Sequence, residues 1–494
     1  MWKAVGVCTC LCMYASLQFL GMAIAMFVII QTGVIQDALD DEVRKQTTLE
    51  PGHETYRQWL NPTAGMDKDF YIFNLTNPEE FASGSKPRFE ELGPYHYREI
   101  RKKTVLDRSN GTITYVMNRT FHFEQVGNYS ESDVITTINF AYVAAIHLAE
   151  VRNLEEILQT IINSNVHPLP ELVVQTTVHE LIWEYTDPLL VVLNQAELIP
   201  SPYIHLQLND SYSDHELPSI VHSGTKDSLK RAQFIQWANL TELPFWLNEA
   251  NFINKSTEGL LFHAILDQNE MLEVFISDTN RTFHLKSKEE VSVRGIDAYR
   301  FQTIESDFRP DPNYLTGNNT PNGLIYLGVL QHDAPVYGSK PHFLDCDESL
   351  LDAVEGISPP DRRVHDIVVD VEPVTGSTIN AHNRLQVLFN VSQTSQYFEP
   401  FNNITSVYFP LFYVDEYATL DDELKSKLND EVFTPRRIIK AIAWVIFGMC
   451  LFVSILTGCC TIGLCIKFSR PQIQKSGSTP GYAELLVVEK ETNS

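Results

Sequence analysis

The chain has 494 residues, and its 37 Lys and Arg residues against 63 Asp and Glu residues give a formal net charge of −26. So acidic a surface repels phosphate backbones, which argues against nucleic acid as a partner. Charged residues make up 20% of the chain and aromatic residues 11%, a composition typical of globular rather than disordered protein.

The first predicted element is a membrane-spanning helix. Residues 4–36 carry no charged side chain, and this stretch exceeds the roughly 20 apolar residues that cross a bilayer as a helix. It is also longer than the apolar core of a cleaved signal peptide, usually about 7–15 residues, and no small-residue cleavage site follows it. We therefore expect a cytoplasmic N-terminus at 1–4 and an uncleaved signal anchor at 5–30.

The segment 31–440 is predicted to be one large lumenal or extracellular domain. It contains no linker-like or repetitive stretch, and it carries eleven Asn-X-Ser/Thr acceptor patterns for N-glycosylation, while the two tails carry none. Because such acceptors are glycosylated on the secretory side of the membrane, their number indicates that location. The acceptors are Asn74, Asn110, Asn118, Asn128, Asn209, Asn239, Asn254, Asn280, Asn318, Asn390 and Asn403.

A helical region is predicted at about 141–188. Apolar residues at 154–162 follow the spacing of one helical face, Pro168 and Pro170 interrupt it, and a second stripe runs from Val174 to Ile182. We interpret the region as a small helix bundle that forms a ligand surface, although ordinary structural packing explains the same pattern. The candidate ligand residues are His147, Leu154, Ile157, Leu158, Ile161, His167 and His179.

The three histidines of that region suggest a pH-dependent surface. The region is acidic at neutral pH, and histidines with an ordinary pKa near 6.5 gain positive charge in an acidic lumen. The hypothesis is that a bound partner is released or exchanged there. Scattered surface or packed histidines are the alternative interpretation.

Most of the remaining pattern predicts strands. Residues 367–371 and 385–391 alternate apolar and polar side chains, which is typical of half-buried strands. Cys346 is the one cysteine of the segment 31–440, so that segment has no internal disulfide. A large apolar core can dispense with such cross-links.

A second span is predicted at 441–466, followed by a cytoplasmic tail at 467–494. Residues 441–466 are uncharged, and basic residues follow them, although Arg436, Arg437 and Lys440 on the other side make the positive-inside pattern imperfect. The tail contains Tyr482 and Leu485 in the spacing Y-x-x-Φ, which predicts capture by clathrin adaptor complexes and delivery to endosomes and lysosomes. Candidate palmitoylation sites near the two spans are Cys8, Cys10, Cys12, Cys459, Cys460 and Cys465.

Catalytic constellations are not found in the sequence. His179-Glu180 begins like a zinc-protease motif, but residue 183 is Trp, so the second ligand is missing. Glycine-rich phosphate loops and nucleophile elbows are absent as well. We therefore predict neither an enzyme nor a cofactor.

A series of motifs resembles the class B scavenger receptor family over essentially the whole chain. Single motifs carry little weight, but their order between two spans is specific. The motifs are 70–81 (FYIFNLTNPEEF), 91–95 (ELGPY), 177–183 (TVHELIW) with Tyr185 and Asp187-Pro188, 275–278 (FISD), 295–301 (GIDAYRF), 341–343 (PHF), 370–376 (DVEPVTG) and 384–386 (RLQ).

The resemblance implies a fold and a function. The fold is a β-rich α+β ectodomain: a large distorted antiparallel β-barrel with short helices and an apical helix bundle, flanked by two transmembrane helices. The function is that of a receptor or transporter in the lysosomal, endosomal or plasma membrane. It binds lipids (sterol, fatty acid, phospholipid) or lipoproteins and passes lipid through a tunnel in the ectodomain.

Three departures from the family pattern qualify that expectation. Ala250, Asn280 and Leu330 stand where the family usually has cysteines, and Glu184 stands where it favours glycine. No Lys or Arg lies between residues 153 and 217, so this chain lacks the apical lysines with which some members hold anionic particles.

Three other functions remain as alternatives. The nearest is a lysosomal trafficking receptor that binds a lumenal protein through its helical apex. An ecto-nucleotidase and a two-span ligand-gated channel share the two-anchor topology. The first would need phosphate-binding glycine segments, and the second typically has a cysteine-rich ectodomain.

Overall fold

The computed structural model describes residues 2–62, 65–206, 217–316, 319–393 and 398–469. These residues form two units. One contains the chain up to Ala38 together with the chain from Thr434 onward, and the other contains Leu39–Phe433. Three predicted features lie outside the described residues: the acceptors Asn209 and Asn318, and the tail motif of Tyr482 and Leu485.

The first unit is built from two long apolar helices, α1 (Trp2–Gln31) and α12 (Thr434–Ser469). Both are long and apolar enough to cross a membrane, as predicted from the uncharged stretches. They pack through small side chains, since the Ser16 hydroxyl donates to the Ser454 carbonyl and the Ser454 hydroxyl to the Ser16 carbonyl, each at 3.0 Å. Such short side chains let helix backbones approach closely in a bilayer.

Short helices are distributed along the chain between these two. They are α2 (Val34–Gln46), α3 (Glu54–Leu60), α4 (Pro78–Ala82), α5 (Phe140–Arg152), α6 (Glu155–Asn165), α7 (Val178–Ile182), α8 (Pro188–Gln195), α9 (Glu348–Asp352), α10 (Arg362–His365) and α11 (Asp422–Lys427). A π-helix, Leu428–Phe433, joins α11 to α12.

Strands dominate the second unit. They are β1 (Met66–Leu75), β2 (Phe89–Ser109), β3 (Thr112–Phe123), β4 (Val134–Ile138), β5 (Val173–Thr177), β6 (Ser219–His222), β7 (Phe234–Gln236), β8 (Met271–Ile276), β9 (Arg281–Val293), β10 (Ile296–Thr303), β11 (Ile325–Tyr326), β12 (Val336–Ser339), β13 (Val368–Glu372), β14 (Ser377–Val391) and β15 (Val407–Thr419).

Thirteen of the described strands form one antiparallel sheet. Its order is β7-β6-β3-β2-β1-β15-β14-β13-β10-β9-β8, with β12 added to β14 and β11 to β12, while β4 and β5 pair separately. The predicted β-rich fold with short helices and two apolar helices is therefore confirmed. Chain-distant strands meet in the middle of the sheet, where Lys68 of β1 pairs in register with Glu416 of β15.

Both edges of this sheet bond to one short segment, Ser256-Thr257. The Phe234 N–H of β7 donates to the Ser256 carbonyl at 2.9 Å. On the other side, the Thr257 N–H donates to the Glu273 carbonyl at 3.0 Å, and the Phe275 N–H of β8 donates to the Thr257 carbonyl at 2.9 Å. Backbone groups that would otherwise be unpaired at the edges β7 and β8 are thereby satisfied.

The prediction of half-buried strands at 367–371 and 385–391 was wrong in part. Residues 368–371 and 385–391 are in strands, but Asp370 of β13 and Gln386 of β14, on the expected solvent face, are fully buried. The Asp370 carboxylate is held by the Arg300 guanidinium at 2.8 and 2.9 Å, and the Gln386 side-chain oxygen accepts from the His342 N–H at 2.8 Å. These hydrogen-bond partners offset the cost of burying the two polar side chains, and the alternation pattern does not reveal them.

The helical region is a mixture of helix and strand. The predicted helical stripe at Val174–Ile182 was wrong at its start, because Val174 lies in β5 and pairs with Thr137 of β4. Helix α7 begins only at Val178, where the Thr177 hydroxyl and the Glu180 carboxylate cap each other's backbone N–H groups. Glu180, part of the incomplete zinc-protease motif, is therefore a helix-capping residue.

Candidate functional site

A cavity of about 570 Å³ lies inside the second unit. Residues from eleven of the described strands line it: β1, β2, β3, β6, β7, β8, β9, β10, β13, β14 and β15. Every strand of the main path of the sheet therefore presents at least one side chain to the same internal space. A cavity remains where the side chains of a sheet do not fill the space that they face.

Aromatic side chains form much of the cavity wall. The rings of Trp59 and Tyr115 meet edge to face at a centroid distance of 4.9 Å, and those of Trp237 and Phe275 do so at 5.1 Å. Phe234 adds a further edge-to-face contact with Phe275. Rigid apolar walls of this kind favour an apolar ligand body, since its transfer out of water is favourable.

One end of the cavity is closed by six charged side chains, here called the ion cluster. Its members are Lys68, Glu99, Arg101, Arg119, Asp278 and Glu416. They come from strands β1, β2, β3 and β15 and from the turn after β8. Three are cations and three are anions, so the cluster carries no net formal charge.

The cluster is internally paired. Arg101 and Arg119 each donate to the Glu99 carboxylate, with Nε–Oε1 distances of 2.6 Å. Asp278 receives the Arg119 guanidinium at 3.0 Å and the Lys68 ammonium at 3.1 Å. Arg101 also bonds Glu416. Charges removed from water are tolerated when they are compensated in this way.

Two carboxylates of the cluster, Glu99 and Asp278, are held in their charged form. Burial works against the charge of Glu99, but Arg101, Arg119 and Lys68 outweigh it and hold the pKa of Glu99 below its usual range. Burial likewise opposes the charge of Asp278, and Lys68 and Arg119 hold its pKa well below the usual value. Glu99 and Asp278 therefore stay charged between neutral and lysosomal pH.

Along four strands, the cavity-lining residues stop at the ion cluster. Met66, Arg101, Arg119 and Glu416 line the cavity. On each of these strands, the described residue two positions further from the cavity than the cluster member lies on the same strand face and belongs to a packed apolar core. These residues are Phe70, Tyr97, Phe121 and Val414. The cavity thus has a polar inner end backed by solid packing.

The lining continues in the other direction along β15 and into the helices that follow it. After Glu416 come Ala418, Leu420, Leu424 and Leu428, and the lining reaches Val432 in the π-helix. π-Helical turns are rare and frequently occur at functional sites. Here the turn borders the cavity and directly precedes α12.

Ion pairs join α3 and α11 at this end. Arg57 contacts Glu54 at 2.6 Å and Glu423 at 2.8 Å, while Lys427 contacts Glu54 at 2.8 Å and Glu423 at 3.1 Å. Partial burial opposes the charge of Glu54, but its bonds to Arg57 and Lys427 lower its pKa to about 2. Glu54 therefore remains charged in an acidic compartment.

A buried histidine pair lies outside the cavity lining. The rings of His342 and His365 stack at a centroid distance of 4.0 Å. The His342 Nε2 atom is 2.9 Å from the Glu91 carboxylate, which also accepts from the Tyr413 hydroxyl at 2.9 Å. Burial, and then the neighbouring His342, lower the pKa of His365 to about 4.

The predicted ligand residues of the helical region do not form one surface. Leu158 is buried, His147 and Ile161 are half-buried, and Ile161 packs against the apolar core. Leu154, Ile157, His167 and His179 are exposed. Burial lowers the pKa of His147, so it takes up a proton less readily than an ordinary histidine. The His179 ring lies 3.6 Å from the Glu131 carboxylate.

Most described glycosylation acceptors lie at the surface. Asn280 is buried, with only 9% of its surface exposed, and its backbone carbonyl accepts a hydrogen bond from the Trp246 indole N–H at 2.5 Å. Asn74 and Asn390 are half-buried. The exposed acceptors are Asn110, Asn118, Asn128, Asn239, Asn254 and Asn403.

All eight cysteines lie among the described residues and are free. Cys12 is half-buried in the first unit, and the other five palmitoylation candidates are exposed there: Cys8, Cys10, Cys459, Cys460 and Cys465. Cys346 is half-buried in the second unit, and burial raises the pKa of its thiol to about 12. That thiol therefore stays protonated and unreactive at physiological pH.

Sequence reasoning missed the ion cluster. A signal for it exists in the spacing along two strands. Arg119 lies two residues from Met117 and from Phe121, so the three share one strand face. Lys68 shares a face with Met66 and Phe70 in the same way. A charged residue in step with apolar neighbours marks a charge that faces the interior. Which charges neutralise one another depends on pairing between distant strands, and the sequence alone does not give that pairing.

Comparison with known proteins gives consistent matches over most of the chain. The family model described as the CD36 family matches residues 19–461. Lysosome membrane protein 2 of Homo sapiens is 30% identical over 433 residues, which cover 86% of this chain and 89% of the relative. Scavenger receptor class B member 1 of Bos taurus is 26% identical over 422 residues, covering 83% and 81%. Sensory neuron membrane protein 1 of Helicoverpa armigera is 26% identical over 444 residues, covering 83% and 84%.

Proposed function

The chain belongs to the CD36 family, and from this premise we propose that it is a class B scavenger-type receptor that binds lipids or lipoprotein-like particles and passes lipid through its ectodomain to the membrane. The observation that carries the proposal is the cavity of about 570 Å³ lined by eleven strands. Its volume falls within the range of about 300–1,000 Å³ common for small-molecule sites.

Closure of the sheet into a distorted barrel is part of the proposal. It is supported by the segment Ser256-Thr257, which bonds to both sheet edges, and by the shared cavity lining. A closed sheet has no free edge, and its interior can shelter an acyl chain or a sterol body from water.

Transfer toward the bilayer is supported by the course of the cavity lining. The lining reaches Leu428 and Val432, and α12 begins two residues later at Thr434. Lipid that leaves the cavity at this end meets chain segments directly connected to the second membrane span. The α3–α11 ion pairs lie along this route.

The proposed topology is two-pass. Residues 1–4 and 467–494 are cytoplasmic, 5–30 and 441–466 span the membrane, and 31–440 are lumenal or extracellular. Support comes from the two apolar helices and from the six exposed glycosylation acceptors. We place the protein in the lysosomal or plasma membrane, the first by similarity to lysosome membrane protein 2 and by the tail motif of Tyr482 and Leu485, which adaptor complexes would bind.

The test is lipid analysis of the purified full-length protein. Mass spectrometry of the detergent-solubilised chain should find a stoichiometric lipid. The variant Ala418→Trp fills part of the cavity and should reduce bound lipid at least about threefold. Ala196→Trp, at an exposed position outside the cavity, is the matched control. Absence of lipid from the parent protein, or equal lipid in both variants, would refute the proposed function.

Carriage of a lumenal protein by the helical region is the second candidate. Leu154 and Ile157 are exposed, 41% and 56%, beside the acidic first turn of α6 with Glu155 and Glu156. This surface suits a partner with a basic, partly apolar face. Co-purification of a stoichiometric protein that is lost in Ile157→Asp would support this candidate, and an unchanged protein profile would exclude it.

A further inference from the structure

The ion cluster stands where the polar head of a cavity-bound lipid would lie, and this placement points to a selective site. We propose that it admits an amphiphile with an uncharged hydroxyl head, as in a sterol or a long-chain alcohol, in preference to a long-chain carboxylate. The inference rests on the proposed function of the same cavity as a lipid site.

The cluster offers the cavity both hydrogen-bond acceptors and donors. Asp278 and Glu416 present carboxylates to the lining, and Arg101 and Arg119 present guanidinium groups. The Asp278 side chain is the most open of these four, with 22% exposed. A hydroxyl group both donates and accepts a hydrogen bond. It therefore bonds a carboxylate and a guanidinium together without displacing the ion pairs between them.

A carboxylate head meets a different balance of charges. The cluster is already neutral, so a fourth anion would lie close to Asp278 and Glu416. In the part of the chain that the structure describes, the three cations of the cluster are already paired with its carboxylates. The nearby Lys103 ammonium is occupied by Glu258 at 2.8 Å. Like charges at close range in a partly dehydrated site repel each other strongly.

The wider lining carries more acidic than basic side chains. Among the described lining residues, five are acidic and three are basic. They are Glu54, Glu258, Asp278, Glu416 and Glu431, and Arg101, Arg119 and Lys427. The apolar body of the ligand would extend from the cluster past Ala418 and Leu420 toward α11, so the head lies at the inner end.

The experiment is a competition assay on the full-length protein in detergent at neutral pH. The chain is labelled with a photoreactive sterol whose diazirine is in the tail, and unlabelled cholesterol or oleate competes. Cholesterol should compete at a concentration at least about tenfold lower than oleate. In Glu416→Gln the cluster gains one net positive charge. The concentration of oleate needed should then fall at least about tenfold, with cholesterol changed by less than about threefold.

Two further variants separate charge from damage. Glu289→Gln changes an exposed carboxylate outside the cavity that pairs with Arg300, and it should leave both competition curves unchanged. Asp278→Asn also gives the cluster one net positive charge, but at a residue outside strand β15. It therefore replaces Glu416→Gln if Glu416→Gln does not fold. Thermal unfolding of each variant reports its folding.

The outcomes are distinguishable. If no sterol label enters the parent protein and neither lipid binds, the proposed function fails. If lipid binds but oleate competes as well as cholesterol, or if both neutralising variants fail to improve oleate, the headgroup assignment is overturned while the lipid function stands. In the parent chain, a sterol probe with its diazirine beside the hydroxyl should label the strands of Arg101, Arg119 or Glu416; labelling confined to α11 would also overturn it.

Discussion

Replacement of Arg119 by methionine is expected to destabilise the second unit severely. The Arg119 side chain is 2% exposed and pairs with Glu99 and Asp278 at 2.6 and 3.0 Å. It also lies over the Phe121 ring, with the guanidinium carbon 5.4 Å from the ring centroid. Methionine preserves the length of the side chain, but it leaves the buried Glu99 carboxylate and the half-buried Asp278 carboxylate with one cation fewer.

The magnitude follows from the cost of an uncompensated buried charge. Removal of one partner from a buried ion pair typically costs about 3–5 kcal/mol. The unfolding entropy is about 2.1 cal/mol/K per residue, so a unit of about 400 residues loses about 4–6 °C in Tm for that free energy. Arg363→Met, at an arginine that is 88% exposed, should change Tm by less than about 1 °C.

The assay is thermal unfolding of the purified full-length variants at one fixed scan rate, since large glycosylated proteins often unfold irreversibly. The double variant Arg119→Met/Asp278→Asn should recover part of the loss, because one stranded carboxylate is removed as well. Equal Tm values for Arg119→Met and Arg363→Met would refute the reasoning. So would a double variant that is no more stable than Arg119→Met.

Further predictions concern glycosylation, pH and sorting. Asn280→Gln should leave the glycan mass of the protein unchanged, because Asn280 is buried, whereas Asn254→Gln should remove one glycan. Gel mobility before and after deglycosylation measures this, and a loss of glycan mass in Asn280→Gln would contradict the structure. The folded-state pKa of His365 is lowered to about 4. The contribution of neutral His365 to stability is therefore present above the ordinary histidine pKa near 6.5 and is lost as pH falls toward 4. His365→Gln should flatten the decline of Tm over that pH range, and an unchanged slope would disprove the lowered pKa of His365. The pKa of Glu54 is lowered from its ordinary value near 4.5 to about 2, so its contribution to stability is present above the ordinary value and is lost as pH falls toward 2. Glu54→Gln should therefore lower Tm equally at pH 7 and pH 5, and a loss seen only at pH 7 would contradict this. Tyr482→Ala should shift the protein from endolysosomal to surface membranes in fluorescence microscopy, and an unchanged distribution would exclude the tail motif.

The membrane helices and the β-rich class were predictable because their signals are local. An uncharged stretch such as 441–466 leaves no alternative to burial in lipid or protein. Alternation placed β13 and β14 correctly as strands. It did not predict that Asp370 and Gln386 are buried, since their partners Arg300 and His342 lie far away in the sequence.

The candidate site was much less accessible to prediction. The ion cluster joins side chains as distant in sequence as Lys68 and Glu416, and their neutralisation depends on the β1–β15 pairing. The helical region also misled, because β-branched residues around Val174 fit a helical stripe as well as a strand, and pairing with β4 decided between them. Long-range pairing is the information that a periodicity argument lacks.

The most direct test of the account is an experimental density map of the full-length protein purified from cells with its lipid. We expect elongated density in the cavity that begins at Asp278 and Glu416 and ends beside Leu428. A cavity filled by the protein's own side chains, or lipid density with its polar head at α11 and its tail against the ion cluster, would contradict it.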